Sequence, residues 1–177
     1  MEASDTRSHS AWALNETDLG DNVLEVGPGY GATTDVLSQL VPRLTSVEID
    51  DELAAMLTDR FVDVPSVQIV HGDATSLSYA DASFSGAACF TMLHHVPTNE
   101  LQDRLFTEIA RVLRPGAPLV ATDSLASDEL EAHHEGDTYN PVDPSSLQSR
   151  LAAAAFEDVG VRTNPFGWAV IARAAKN

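Results

Sequence analysis

One cysteine, one lysine and no long apolar run are present in this chain of 177 residues, and each shortage excludes something. With Cys89 alone there is no internal disulfide and no thiolate metal cluster, and its apolar neighbours read as a buried, inert thiol. Lys176 is the single lysine, and ten basic against twenty-seven acidic residues leave a formal net charge of −17. Such a field repels phosphate backbones and anionic membranes, so neither nucleic acid nor membrane is expected as a partner. It favours solubility and keeps copies apart, and it also matches a surface adapted to a salty cytoplasm. No stretch is long and apolar enough to span a bilayer. The first ten residues are polar and lack the apolar core of a signal segment, so a cytoplasmic protein, monomeric or homodimeric, is expected.

The chain is 44% hydrophobic, enough for one domain with a sizeable core. A short segment at 1–22 is expected ahead of a single domain at 23–177. Apolar runs alternate with amphipathic stretches, the mark of a βαβ architecture. Strands are predicted at Val23–Val26, Leu44–Ile49, Val67–Val70, Phe84–Met92 and Leu119–Thr122. Helices are predicted at Thr33–Leu40, from Asp50 or Asp51 to about Phe61, and from Thr98 or Asn99 to about Leu113. Ser124–Val142 reads as polar and irregular. Asp143 then caps a helix that Pro144 opens. Asp158–Arg162 and Trp168–Ala172 read as an antiparallel hairpin at the sheet edge.

The chemistry concentrates at strand ends. After the first strand comes Glu25-Val26-Gly27-Pro28-Gly29-Tyr30-Gly31, a turn whose glycines let backbone approach a ligand at a helix N-terminus. Gly27-x-Gly29-x-x-Ala32 also fits a dinucleotide fingerprint. Glu25, however, would crowd a pyrophosphate and favour an ammonium group. The cofactor so described has a positive amino-acid end and no phosphate, as S-adenosylmethionine has. Glu48 ends the second strand, where a carboxylate can accept from ribose hydroxyls; with Asp50, Asp51 and Glu52 it can equally belong to a helix-capping cluster. Asp73 and Ala74 follow the third strand, where they can meet an adenine amino group and a ring nitrogen.

These segments (VLEVGPGYG, LTSVEIDDEL, VQIVHGDATSL, FSGAACFTMLHHVP and RVLRPGAPLVATDS) resemble the class I S-adenosylmethionine-dependent methyltransferases from Val23 onward. The resemblance implies a Rossmann-like α/β fold: a mostly parallel seven-stranded sheet, last strand antiparallel, helices on both faces. It implies cofactor contacts at Glu25, Gly27, Gly29, Gly31, Glu48, Ile49, Asp73, Ala74 and Phe90, and S-adenosylhomocysteine as product. The first half also resembles the rRNA adenine dimethylases. Their Asn-x-Pro-Tyr motif is absent here, where Phe90-Thr91-Met92-Leu93-His94-His95 stands, and the Leu-His-His-Val run is common in enzymes acting on small molecules. The family's Phe-Asp at the start of the fourth strand is Phe84-Ser85 here. Ala11-Trp12-Ala13-Leu14 can belong to a helical cover over the site.

Methyl transfer from a sulfonium needs alignment and exclusion of water, and a base only where the acceptor loses a proton. Candidate acceptor-side residues are His94, His95 and Thr91, with Asp123, His133 and Thr122 behind them; His133 and His134 also suit a solvated helix or lid. No metal site is expected, because the histidine spacing matches no ligand pattern. Trp12, Tyr30, Tyr139 and Trp168 can line an aromatic pocket or simply pack. A small-molecule methyltransferase working by direct SN2 transfer is the expectation. The alternatives are a non-catalytic cofactor-binding module or partner-supporting subunit, an rRNA methyltransferase, and a nicotinamide oxidoreductase.

Overall fold

The computed structural model describes residues 13–14, 16–133 and 136–176. Trp12, His134 and the side chain of His133 lie outside what it describes. Seven strands make one sheet: β1 (Val23–Val26), β2 (Leu44–Glu48), β3 (Val67–His71), β4 (Gly86–Phe90), β5 (Pro118–Ser124), β6 (Phe156–Thr163) and β7 (Gly167–Ala174). Their order is β3-β2-β1-β4-β5-β7-β6. All neighbouring pairs among β1 to β5 are parallel, and β7 runs antiparallel to both β5 and β6. Helices α1 (Ala32–Leu40), α2 (Asp51–Arg60), α3 (Asn99–Val112), α4 (Asp128–His133) and α5 (Leu147–Ala153) complete the chain, with 3-10 turns at Leu93–His95 and Pro144–Ser146.

The central strands β1, β2 and β4 are buried along their whole length, as strands covered on both faces must be. One face packs Leu24, Val26, Cys89, Leu119 and Ala121 against Leu105, Phe106 and Ile109 of α3 and Leu147 and Leu151 of α5. The other packs Val23, Leu44, Ala88, Phe90 and Val120 against Leu37 of α1 and against Ala13 and Leu19. Ala13 and Leu19 thus bring the described part of the N-terminal segment onto the core. Gly86 passes so close beneath it that a Cβ there would lie 2.4 Å from the Leu19 carbonyl oxygen.

The caps follow the sequence. The Asp50 side chain accepts from Leu53 N–H, that of Thr98 from Leu101 N–H, and that of Asp143 from Ser145 N–H, each satisfying an orphan donor of a first turn. Ser85, in place of the family aspartate, accepts from Asn22 N–H at 2.8 Å and donates to Leu19 O at 2.9 Å. It ties the N-terminal segment to the start of β4, a structural duty.

Two segments depart from expectation. β4 spans Gly86–Phe90 rather than Phe84–Met92, because Thr91 adopts a left-handed φ of 52° and the chain turns into Leu93–His95. The segment expected to be irregular contains α4. The terminal hairpin is antiparallel at the sheet edge as expected, with β6 outermost and β7 between it and β5. Trp168 of β7 is fully buried and packs in the core.

Candidate cofactor and acceptor site

Strand order reverses between β1 and β4, and an open α/β sheet binds ligands at such a point, beyond the carboxyl ends of its strands. The glycine turn leaves β1 there. Gly27 has φ 66° and Gly29 φ 53°, a region where a side chain is strained. A Cβ on Gly27 would meet Met92 Cγ at 2.8 Å, whereas one on Gly29 would meet nothing within 4 Å. The turn is thus packed on its first glycine and open over its second. Gly31 is the N-cap of α1.

Glu25 and Glu48 flank this turn, and both are buried. The Glu25 Oε2 accepts from Ser46 Oγ at 2.6 Å and Thr34 Oγ1 at 2.8 Å. Its Oε1 is buried without a partner among the described residues. Burial raises the Glu25 pKa to about 7, against the lowering effect of the two hydroxyl bonds. The Glu48 Oε2 accepts from Gly29 N–H at 2.9 Å, and its Oε1 accepts from the N–H groups of Ile49 and Asp50 at 2.9 and 3.1 Å. One carboxylate therefore clips the end of β2 to the glycine turn.

Ile49 beside it is 67% exposed, an apolar side chain left uncovered at the mouth. β3 arrives alongside, with Gly72 N–H donating to Glu48 O at 2.8 Å. Asp73 is exposed and accepts from Thr75 N–H at 2.8 Å, while Ala74 is buried. Phe90, at the end of β4, is buried on the same sheet face as Val23 and Ala88. The structure thus gathers Glu25, Gly27, Gly29, Glu48, Ile49, Asp73, Ala74 and Phe90 at neighbouring strand ends.

On the β4–β5 side, Thr91 is exposed and donates its N–H to Thr122 O at 2.8 Å. The Thr122 hydroxyl is buried without a partner among the described residues. His94 and Asp123, separate candidates in the sequence, form one buried pair. The Asp123 Oδ1 accepts from His94 Nδ1 at 2.7 Å and from Ser124 N–H at 2.8 Å, and its Oδ2 accepts from His94 N–H at 3.0 Å. His95 is exposed, with Nδ1 3.8 Å from Asp137 Oδ2. Tyr139 sets its ring edge-on to His94, centroids 6.1 Å apart. It also borders a cleft of about 310 Å³ lined by Ala126, Ser127, Asp128, Glu131 and Pro141. Tyr30, 78% exposed, stands on the glycine turn, and Trp168 takes no part.

Residue reasoning missed the Glu25 partners Thr34 and Ser46, although a serine inside the fully buried β2 was a visible signal. It also missed the His94–Asp123 pairing, which no local pattern announces. Each described arginine is held by a carboxylate or a carbonyl of the chain, as Arg43 and Arg114 are by Asp21, Arg150 by Asp103 and Arg104 by Thr75 O. Among the described residues no helix is long and apolar enough to cross a membrane.

A seven-stranded sheet of this order, an acidic glycine turn at its reversal and a carboxylate closing β2 define the class I S-adenosylmethionine-dependent methyltransferases. Residues 24–121, more than half of the chain, match the family model described as a methyltransferase domain, and the chain belongs to that family, whose cofactor is S-adenosylmethionine. A probable ribosomal RNA small subunit methyltransferase A of Natronomonas pharaonis is 31% identical over 156 residues, 82% of this chain and 55% of that protein. The corresponding Geobacter metallireducens protein is 39% identical over 80 residues, 45% of this chain and 29% of that one. The chain thus spans about half or less of the length of these curated relatives.

Among solved structures, the putative methyltransferase in complex with the Trm112 methyltransferase activator of Haloferax volcanii superposes with a TM-score of 0.80 at 14% identity, covering 98% of this chain and 91% of that one. A Methanosarcina mazei S-adenosylmethionine-dependent methyltransferase gives 0.71 at 20% identity, covering 93% and 97%. The [4+2]-cyclase SpnF gives 0.77 at 20% identity, covering 97% and 82%. At these identities the likeness is one of fold.

Proposed function

We propose that residues 23–177 form one domain that transfers the methyl group of S-adenosylmethionine directly to a small molecule, leaving S-adenosylhomocysteine. The observation that carries this proposal is Glu25 Oε1, a buried acceptor without a partner beside an open turn. An orphan acceptor in a buried site is costly, and a ligand ammonium, directly or through a water, satisfies it. The rest of the donor set fits the same cofactor. Glu48 accepts the ribose hydroxyls, Ile49 covers one face of the adenine, and Asp73 and Ala74 meet its edge. Gly27, Gly29 and Gly31 shape the turn, and Phe90 closes the floor.

When bound, S-adenosylmethionine supplies a methyl carbon on a positively charged sulfur, already activated for displacement. The chain's own task is then to align the acceptor and exclude water. Thr91 lines the entrance, and the left-handed φ of this β-branched residue marks stored strain of the kind found at working sites. His94 stands at the acceptor end.

An rRNA acceptor is the second reading, favoured by the names of the curated relatives. Against it stand the net charge of −17 and the described arginines, each held within the chain. Calorimetry with S-adenosylmethionine, followed by incubation of labelled cofactor with a metabolite extract and separately with small-subunit rRNA, tests both. Binding with label entering small molecules is the expected result. Label entering only the RNA would replace the acceptor assignment, and failure to bind any adenosyl compound would end the proposal. Binding without transfer to either would favour a cofactor-binding module or a subunit serving a partner.

A further inference from the structure

We infer that Arg60 is a positioning residue for the glycine turn: from the end of α2 it fixes the Tyr30–Gly31 peptide and so sets how tightly the turn takes the cofactor. The inference rests on the methyl-transfer reading above. Arg60 Nη1 donates to Tyr30 O at 2.8 Å, and Nη2 donates to the Asp35 carboxylate. One guanidinium thereby joins the last turn of α2 to the glycine turn and to the first turn of α1. The other end of the Tyr30–Gly31 peptide is held as well, by the Gly31 N–H donating to Pro28 O at 2.8 Å. Glu48 holds the Pro28–Gly29 peptide, accepting from Gly29 N–H at 2.9 Å. The turn is therefore pinned on both sides of Gly29, by a carboxylate at the end of β2 and a guanidinium at the end of α2, while the space over Gly29 itself stays open.

A planar guanidinium aims two donors at once, here at a carbonyl and a carboxylate, which the single ammonium of a lysine does not reproduce. Its surroundings hold it in that pose. The Arg60 guanidinium carbon lies 5.3 Å from the Phe61 ring centroid. A Cβ on Gly31 would come 3.0 Å from Arg60 Nη1 and 2.6 Å from Leu57 Cδ2, so α2 presses directly on the turn. No other lysine or arginine stands between Arg43 and Arg104. Arg43 is held by Asp21 and Arg104 by Thr75 O, so neither takes over the contact. The side chains of Arg60 and Asp35 are 41% and 46% exposed; solvent screens their ion pair, and the pair by itself contributes little. The bond to Tyr30 O is what fixes the turn.

Position and charge predict different results. S-adenosylmethionine carries one positive charge more than S-adenosylhomocysteine, on its sulfonium, and otherwise presents the same adenosine and amino-acid end. By charge alone, removing a cation near the site should tighten S-adenosylmethionine and leave S-adenosylhomocysteine unchanged. Loss of position should weaken both alike. In titration calorimetry of the full chain, Arg60→Met, which keeps an apolar stem beside Phe61 and loses the donors, should weaken both ligands about 5- to 10-fold. Arg60→Lys should fall between Arg60→Met and the parent. Asp35→Asn, which leaves the Tyr30 bond in place, should stay within about twofold of the parent for both ligands. Urea titration of the same samples reports stability apart from affinity. Unchanged affinity in Arg60→Met, with or without lowered stability, a change confined to S-adenosylmethionine, or an equal loss in Asp35→Asn would overturn the positioning role. If Arg60→Met does not fold, Arg60→Lys takes its place, and parental affinity for both ligands would overturn the role. Failure of the parent to bind either ligand would instead count against the methyl-transfer reading. The Gly29 and Gly31 amide resonances of the ligand-free chain should shift in Arg60→Met; they test the hold on the turn apart from binding, and their staying in place would overturn it.

Discussion

At the ends of β1 and β2, Glu48 is held by the backbone N–H groups of Gly29, Ile49 and Asp50, and Glu25 by the hydroxyls of Ser46 and Thr34. Beyond the ends of β4 and β5, the buried polar pair joins side chains 29 residues apart. The first region depends on β2 pairing with β1, and it keeps an acceptor unpartnered at Glu25. The second depends on β5 pairing with β4, and its carboxylate is already engaged by three donors. The first region leaves a carboxylate oxygen unpartnered, whereas the second leaves the Thr122 hydroxyl so and engages its carboxylate fully. The two should therefore respond differently to the loss of a single carboxylate.

The largest effect should come from Asp123→Ala. It strands the His94 ring N–H and two backbone N–H groups in a buried place, and each such loss costs about 1–3 kcal/mol when water cannot replace it. We expect about 3 kcal/mol lower unfolding free energy by urea titration. A loss below about 1 kcal/mol would mean the two regions are equally forgiving. Glu25→Gln should act in the opposite sense and only at higher pH. Burial raises the Glu25 pKa from 4.5 to about 7, so the protonated form favours the fold. That contribution is complete below about pH 4.5 and is lost as pH rises through 7. The Gln variant should therefore match the parent near pH 5 and exceed it at pH 8, by up to about 3 kcal/mol from the shift. Parallel stability curves across that window would show that Glu25 is not the reserved acceptor.

The same contrast decides what was legible in the sequence. The parallel strands, the glycine turn, the Asp50 and Thr98 caps and the antiparallel hairpin all follow from patterns within a few residues. Glu25, Gly27, Gly29, Glu48 and Asp73 stand out as candidates because each sits where an apolar run ends. The early end of β4 was hidden because Thr91, a β-branched residue, gives no sign of a left-handed φ. The α4 helix was hidden by the polarity of its segment. The His94–Asp123 pair was hidden most deeply, since only the placing of β5 beside β4 brings the two together. That Glu48 is tied to Gly29 rather than held open follows from loop geometry, which no spacing rule encodes.

The smallest effects should separate Glu48 from Asp73 within the first region. Both are proposed cofactor contacts, yet Glu48 is buried with three backbone donors on it, while Asp73 is exposed and turns back on Thr75. A hydrogen bond made out of water's reach is worth more than one that water can replace. Glu48→Ala should weaken S-adenosylmethionine binding by about 3 kcal/mol, roughly 150-fold, and Asp73→Ala by about 1 kcal/mol, roughly 5-fold. Titration calorimetry of both variants against the parent measures the difference directly. Equal losses would place the two carboxylates in equivalent surroundings when the cofactor is bound, and β3 would then have to close over Asp73. Unchanged affinity in both would move the cofactor away from these strand ends, and the contrast between the two regions would lose its functional meaning.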